Sequence, residues 1–196
     1  MTRYIYAGLF LVGLIAIVYA WSAAAGGVQS GIALAKHQTG ELSGLDFETA
    51  GNSAPEDAFL DPEGEVTAFS AFEGKTILVN FWATWCGPCE RELPSLGALQ
   101  TARGSDGFEV IAVSVDGEAD ADYARERLAE LTGGTLSFFH APDYKPVYGA
   151  GVRGFPTTIL YGPDGSEIAR LAGEADWANY EAIAFIDDAL AMAASQ

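Results

Sequence analysis

The hydrophobic pattern begins with an uninterrupted apolar stretch near the N-terminus. No Asp, Glu, Lys or Arg occurs from Tyr4 to Ala35, and the residues from Tyr4 to Trp21 are apolar throughout. A helix needs about 20 apolar residues to cross a bilayer. The pattern therefore predicts an N-terminal transmembrane anchor over residues 1–25.

The flanking charges predict how this anchor is oriented. Arg3 precedes the apolar stretch, and the next basic residue is Lys36, so the positive-inside rule places the N-terminus in the cytoplasm. A cleaved secretory signal is the alternative, because Ala23-Ala24-Ala25 fits a small-residue cleavage site, although signal cores are usually only about 7–15 residues long. Both interpretations export the rest of the chain.

The pattern changes twice after the anchor. Residues 26–55 are rich in Gly, Ala, Ser and polar residues without a sustained period, which is typical of a linker, with a short helix near Ile32 to His37. From residue 56 to residue 196 apolar and polar positions alternate in regular segments. These residues are predicted to form one folded domain.

Within this domain the apolar periods indicate strands alternating with helices. Two continuous apolar runs, Thr76–Trp82 and Phe108–Val115, are typical of strands buried on both faces. The other predicted elements are a hairpin over 57–69, helices over 87–103, 119–131 and 177–193, a weak strand over 136–140, and a second hairpin over 157–172. Strands separated by helices pair in parallel, and hairpins add antiparallel strands. The predicted fold class is α/β, a mixed central β-sheet flanked by helices with an added N-terminal β-hairpin.

Charge excludes one class of partner. The formal net charge is -17, and all 27 acidic residues lie at or after Glu41. A surface that follows nucleic acid phosphates needs clustered Lys and Arg. We therefore expect no nucleic acid partner.

The candidate chemistry lies in the only two cysteines of the chain, Cys86 and Cys89, between a predicted strand and a predicted helix. Residues three apart on a helix share a face, so the two sulfurs can form a disulfide bond. Cys86 would lie at the positive end of the helix dipole, which stabilises a thiolate and lowers its pKa. Gly87 allows a tight turn, and Pro88 fits the first helical turn.

Three other interpretations of this pair stay open from the residues alone. A structural disulfide is compatible with an exported protein, but so short a loop stabilises little. A structural zinc site needs four ligands, and His37 and His140 are far away in the sequence. A Cu(I)-binding carrier, which holds the metal on both thiolates without redox turnover, is also chemically sensible.

The segment VNFWATWCGPCERELP resembles the active-site segment of the thioredoxin superfamily. More narrowly, residues 56–193 and the N-terminal anchor resemble the membrane-anchored TlpA/ResA/CcmG group of thiol–disulfide oxidoreductases. The ending GVRGFPTTILYGPDGSEIARLAGEADW is most similar to the TlpA branch. The resemblance implies a thioredoxin fold and a redox-active disulfide between Cys86 and Cys89, with no other cofactor and no resident metal.

The resemblance also implies roles for individual residues. Cys86 is expected to attack partner disulfides, and Cys89 to resolve the mixed disulfide. Pro156 corresponds to the cis-proline that faces the cysteines in thioredoxin folds and leaves the backbone of Phe155 free to pair with a partner. The residues expected to bind the partner are Trp85, Gly87, Pro88, Phe155 and Pro156.

Glu92 is the third residue expected to be catalytic. It lies three positions after Cys89, where members of the exported group have a Glu, and a carboxyl in such a poorly hydrated place should have a raised pKa and relay a proton for Cys89. Asn80 departs from cytosolic thioredoxin, which has a buried Asp there. A solvated surface position is the alternative for Glu92.

The resemblance implies a dithiol reductase in the bacterial inner membrane, with a single span, a cytoplasmic N-terminus and a periplasmic catalytic domain. The Gly-Pro pair between the cysteines is that of reducing thioredoxins, whose potential is about -270 mV against about -120 mV for the oxidant DsbA. The expected partners belong to respiratory cytochrome biogenesis: a copper chaperone or cytochrome oxidase subunit first, and apocytochrome c next. A transmembrane thiol donor is expected to re-reduce the pair.

Overall fold

The computed structural model of the protein describes residues 33–194. The predicted membrane anchor, residues 1–25, lies outside the described residues. From residue 33 to residue 194, no helix is both long and apolar enough to cross a bilayer.

Eight strands of the described residues form one mixed sheet in the order β1-β8-β7-β4-β5-β6-β2-β3. Their bounds are Leu45–Asp46 (β1), Phe59–Leu60 (β2), Val66–Thr67 (β3), Thr76–Trp82 (β4), Phe108–Ser114 (β5), Phe138–His140 (β6), Thr157–Tyr161 (β7) and Glu167–Ala172 (β8). Strand β4 pairs in parallel with β5 and antiparallel with β7. The mixed sheet and the N-terminal hairpin β2–β3 confirm the predicted fold class.

Four α-helices connect or follow these strands in the described part of the chain. They are Gly87–Arg103 (α1), Ala121–Thr132 (α2), Lys145–Gly149 (α3) and Tyr180–Ala193 (α4). Short 3-10 helices cover Ala35–His37, Gly40–Leu42, Phe69–Phe72 and Glu118–Asp120. The sequence pattern missed α3, because its five residues are too few to show a helical period.

Strand β4 positions the cysteines. All seven of its residues are buried, as its unbroken apolar run predicts for a strand covered on both faces. Helix α1 follows β4 after a four-residue connection and packs against α2 and β5. At Gly97 of α1, an added Cβ would lie 2.8 Å from Thr135 Oγ1 and 3.2 Å from the Thr132 Cα, so the absence of a side chain permits this close packing.

The predicted linker over residues 26–55 needs correction in its second half. Leu34, Leu42 and Leu45 are buried, and β1 forms one edge of the sheet by pairing with β8. The short helix predicted near residues 32–37 is present as a 3-10 helix whose His37 Nε2 lies 2.9 Å from Asp188 Oδ2 of α4. The folded domain therefore begins before residue 56, because widely spaced leucines bury this segment without giving it a regular period.

Candidate active site

Cys86 occupies the N-cap position of helix α1. Its backbone is extended (φ -98°, ψ 93°), and its sulfur accepts a hydrogen bond from the Cys89 backbone N–H at 3.3 Å. Gly87 and Pro88 form the first turn, where the missing N–H of proline leaves no helical bond unmade. In the reduced protein this N–H and the helix dipole would stabilise a thiolate on Cys86.

The two cysteines differ in access to solvent. They are joined by a disulfide bond, with Cα atoms 5.3 Å apart. Cys86 is 7% exposed and Cys89 is 1% exposed. An incoming sulfur can therefore reach Cys86, whereas Cys89 is accessible only to Cys86.

The connection between β4 and α1 is held by a carboxylate that sequence reasoning did not select. Asp116, two residues after β5, accepts hydrogen bonds from the Thr84 backbone N–H at 3.1–3.2 Å and from Thr84 Oγ1 at 2.7 Å. Ser114 Oγ donates to the same carboxylate at 2.8 Å. These bonds fix the backbone two residues before Cys86.

A row of aromatic rings, exposed at Trp85 and Tyr148 and partly buried at Phe155 and Tyr144, starts beside Cys86. Trp85 is 61% exposed and contacts Phe155 edge-on, with ring centroids 5.7 Å apart. Tyr144 lies 6.3 Å from Phe155 and stacks on Tyr148, which is 73% exposed. We call Trp85, Phe155, Tyr144 and Tyr148 the aromatic row. Only its first two members were selected from the sequence, since Tyr144 and Tyr148 come from the unpredicted region around α3.

Pro156 lies at the same end of the sheet as the cysteines. The Phe155–Pro156 peptide bond is cis. Residue Thr157, next in the chain, pairs with Phe81 near the end of β4. The Pro156 carbonyl accepts a hydrogen bond from Gly173 N at 2.9 Å, which fixes this turn against the end of β8.

Glu92 is buried and is not a surface residue of α1. It is 2% exposed. Trp177 Nε1 donates a hydrogen bond to Glu92 Oε1, and Asn80 Nδ2 donates to Oε2 at 3.1 Å. Burial raises the pKa of Glu92 to about 7, and the hydrogen bonds from Trp177 and Asn80 oppose this rise because they stabilise the ionised form. Glu92 can therefore exchange a proton near neutral pH.

Asn80 takes part in the surroundings of Glu92. Its Nδ2 also donates to Thr158 Oγ1 at 2.9 Å, while its Oδ1 is buried without a hydrogen-bond partner. A half-turn of the amide would present Oδ1 to a protonated Glu92, and the hydroxyl of Thr158 can serve as donor as well as acceptor. An Asn at this position can thus serve both protonation states of Glu92.

The structure brings most of the predicted site residues to one end of the sheet. Cys86, Gly87 and Pro88 begin α1, with Trp85 and Phe155 in ring contact beside them. Glu92 lies one turn beyond Cys89, with its carboxyl group directed to Asn80 and Trp177. Their chemical roles stay predictions.

Residues 49–176 match the model of the Redoxin family. A thiol-disulfide oxidoreductase ResA from Geobacillus thermodenitrificans is 35% identical over 115 residues, which are 59% of this chain and 64% of that protein. The ResA of Bacillus thuringiensis is 33% identical over 126 residues, which are 63% of this chain and 70% of that protein. The chain thus spans slightly less than two thirds of the first relative and slightly more of the second.

A solved structure has a similar fold. A Chlorobium tepidum protein, described as a candidate thiol:disulfide interchange protein DsbE, superposes with a TM-score of 0.61 and 26% sequence identity. The match covers 70% of this chain and 95% of that one.

Proposed function

Because the chain belongs to the Redoxin family and has the thioredoxin-like fold of the ResA- and CcmG-type thiol–disulfide oxidoreductases, we propose that it reduces disulfide bonds in partner proteins. One observation carries this proposal: Cys86 caps the start of α1, bonded to Cys89, with Cys86 as the more accessible sulfur. That arrangement supplies an attacking thiolate and a second sulfur to release the product.

The reaction starts from the reduced chain. The Cys86 thiolate attacks one sulfur of a partner disulfide, and the partner's other sulfur leaves as a thiolate that takes a proton from water. Cys89 then gives its proton to Glu92, and its sulfur attacks Cys86 Sγ, so that the partner's first sulfur leaves as a thiolate. This thiolate takes up one proton, and Glu92 releases the proton that it received from Cys89, so both partner sulfurs end as thiols and Glu92 is ionised again. The partner gains two electrons and becomes a dithiol, while the chain is oxidised to the Cys86–Cys89 disulfide. A thiol donor returns two electrons for the next cycle.

The aromatic row is the proposed contact surface for the partner. Exposed and partly exposed rings beside a reactive sulfur offer apolar faces to the chain segment that carries the partner's cysteine. Trp85 and Phe155 lie nearest to Cys86, and Tyr144 and Tyr148 extend the same surface. The occupant is therefore an extended protein segment on either side of a disulfide-bonded cysteine.

The cellular setting is also proposed. The apolar stretch from Tyr4 to Trp21 supports a membrane anchor with the catalytic domain on the periplasmic side. The likeness of the ending to the TlpA branch supports partners in cytochrome biogenesis, with copper-site proteins of cytochrome oxidase before apocytochrome c. Re-reduction in an oxidising compartment then requires a transmembrane thiol donor.

Insulin reduction by the full chain, with dithiothreitol as electron source, tests the activity. We expect turnover that is lost in Cys86→Ser. When the Cys89→Ser variant is first reduced and then freed of dithiothreitol, a mixed disulfide with the substrate should accumulate, because the resolving sulfur is missing. The matched Cys86→Ser variant should form no such adduct. Tight retention of Cu(I) with no insulin reduction would instead establish the copper carrier.

A further inference from the structure

The carboxyl group of Glu92 is surrounded by hydrogen-bond donors. Trp177 Nε1 and the Ala175 backbone N–H (3.4 Å) donate to Oε1, and Asn80 Nδ2 donates to Oε2. A buried carboxylate without such donors would be strongly destabilised. Of these three donors, two come from the segment between β8 and α4: the backbone N–H of Ala175 and the side chain of Trp177.

Trp177 is itself held firmly against α1. Its side chain is buried, and its backbone N–H donates to Ser95 Oγ at 3.0 Å. Ser95 Oγ in turn donates to the Glu92 carbonyl at 2.7 Å. These bonds fix the backbone of Trp177 against the turn of α1 that follows Glu92, and burial keeps its indole beside the carboxyl group.

We propose that Trp177 is a positioning residue that holds the buried carboxyl group of Glu92 through its indole N–H and fixes the pH at which Glu92 changes its protonation state. This inference rests on the proposed function insofar as Glu92 exchanges a proton with Cys89. It assigns a mechanistic role to a residue 85 positions away along the chain.

The direction of the effect follows from the surroundings. Burial raises the pKa of Glu92 to about 7, and the Trp177 hydrogen bond lowers it. The nearby Glu174 carboxylate also raises it. The other charged groups facing Glu92 line an open cleft of about 580 Å³ between α1, the second 3-10 helix and the segment before α4: Glu41, Arg91 and Asp176. Arg91 is ion-paired with Glu174 at 2.7 Å, and so partly offsets its charge.

Proton-detected NMR of the oxidised, full-length wild type gives a first test that needs no variant to fold. The Trp177 Nε1–H resonance should move with pH and share its midpoint with the ¹³C-labelled carboxyl of Glu92. In Glu92→Gln the indole resonance should not titrate. A Trp177 indole signal that is indifferent to pH in the wild type would overturn the proposal.

The second test removes the donor. Trp177→Phe keeps an apolar ring but loses the N–H, and the Glu92 midpoint should rise by about one pH unit, a tenfold change in the protonation equilibrium. Trp82→Phe is the matched control, because Trp82 is equally buried but its Nε1 has no hydrogen-bond partner among the described residues. An unchanged midpoint in Trp177→Phe, or an equal rise in Trp82→Phe, would sink the inference.

Rates separate this inference from the proposed function. In Trp177→Phe the pH profile of the insulin reduction rate should shift to higher pH, by the same amount as the Glu92 midpoint. If the wild type reduces no insulin at any pH, the proposed function fails, whereas the NMR midpoints still decide the role of Trp177.

Discussion

Single residues at this site derive their chemistry from neighbours that are distant in the sequence. The spacing of Cys86 and Cys89 at the start of one helix indicates a reactive pair, and the family resemblance adds Glu92 on the same helix. Trp177 and Asp116 were not selected, because their contacts with Glu92 and Thr84 join separate strands and helices. A local sequence pattern cannot show that Asp116, after β5, will fix the connection that follows the neighbouring strand β4.

Glu92 should make stability depend on pH. An acid whose pKa is raised by folding binds its proton more tightly in the folded state, so its stabilising effect is complete below its ordinary value of 4.5 and is lost as the pH rises through about 7. From pH 5 to pH 8 we expect the wild type to lose about 2 to 3 kcal/mol of unfolding free energy relative to Glu92→Gln. Urea unfolding of both oxidised proteins at the two pH values measures this, and parallel pH dependence would contradict the prediction.

The carboxylate oxygens of Asp116 should stabilise the fold by accepting hydrogen bonds from Thr84 and Ser114. Asp116→Asn replaces a carboxylate oxygen by an NH₂ group that faces the donors of Thr84 and Ser114, so we expect a loss of about 1–3 kcal/mol of unfolding free energy. Asp122→Asn, on the exposed face of α2, provides the control and should change stability by less than about 0.5 kcal/mol. Equal urea midpoints for the Asp116 variant and the wild type would argue against this anchoring role.

At the scale of elements, long periodic segments were predicted well and short ones poorly. Strand β4 matched its predicted bounds, and helix α1 matched despite Pro94 in its interior. Helix α4 begins at Tyr180, three residues later than predicted, because Asn179 provides the N-cap by accepting from Ala182 N. Helix α3 was missed, and the outer half of the aromatic row was missed with it.

The region around α3 should contribute to partner binding and not to chemistry. Tyr148→Ala removes the outermost ring of the aromatic row, and we expect the KM for insulin to rise about 3- to 10-fold with little change in kcat. Reduction of glutathione disulfide should be unaffected, because so small a substrate reaches only Cys86. Tyr123→Ala, which removes an exposed ring on α2, should change neither reaction. A matching loss with both substrates would point instead to a disturbed active site.

At the scale of the whole molecule, the sequence predicted the α/β class and the mixed sheet but misplaced the start of the folded domain. The pattern of β4 and β5 indicates the centre of the sheet, since strands buried on both faces have nearly unbroken apolar runs. The N-terminal segment contributes through isolated positions such as Leu42, which a linker-like composition conceals. The packing of that segment against α4 becomes visible only when both ends of the chain are in place.

Leu42→Ala tests whether this segment is part of the domain. Leu42 is completely buried, so truncation should cost about 2–5 kcal/mol of unfolding free energy. Val66→Ala, at an exposed position of β3, is the control and should cost little. If Leu42→Ala unfolds at the same urea concentration as the wild type, residues 34–54 act as a linker after all.

The unequal burial of the two sulfurs restricts how electron donors and acceptors can react with this domain. The chain has two cysteines and one of them is shielded, so Cys86 is the single sulfur at which both partners can exchange a disulfide. The protein that supplies electrons and the protein that receives them must therefore bind at Cys86 one after the other. Slow dissociation of either protein would limit the rate of the complete cycle.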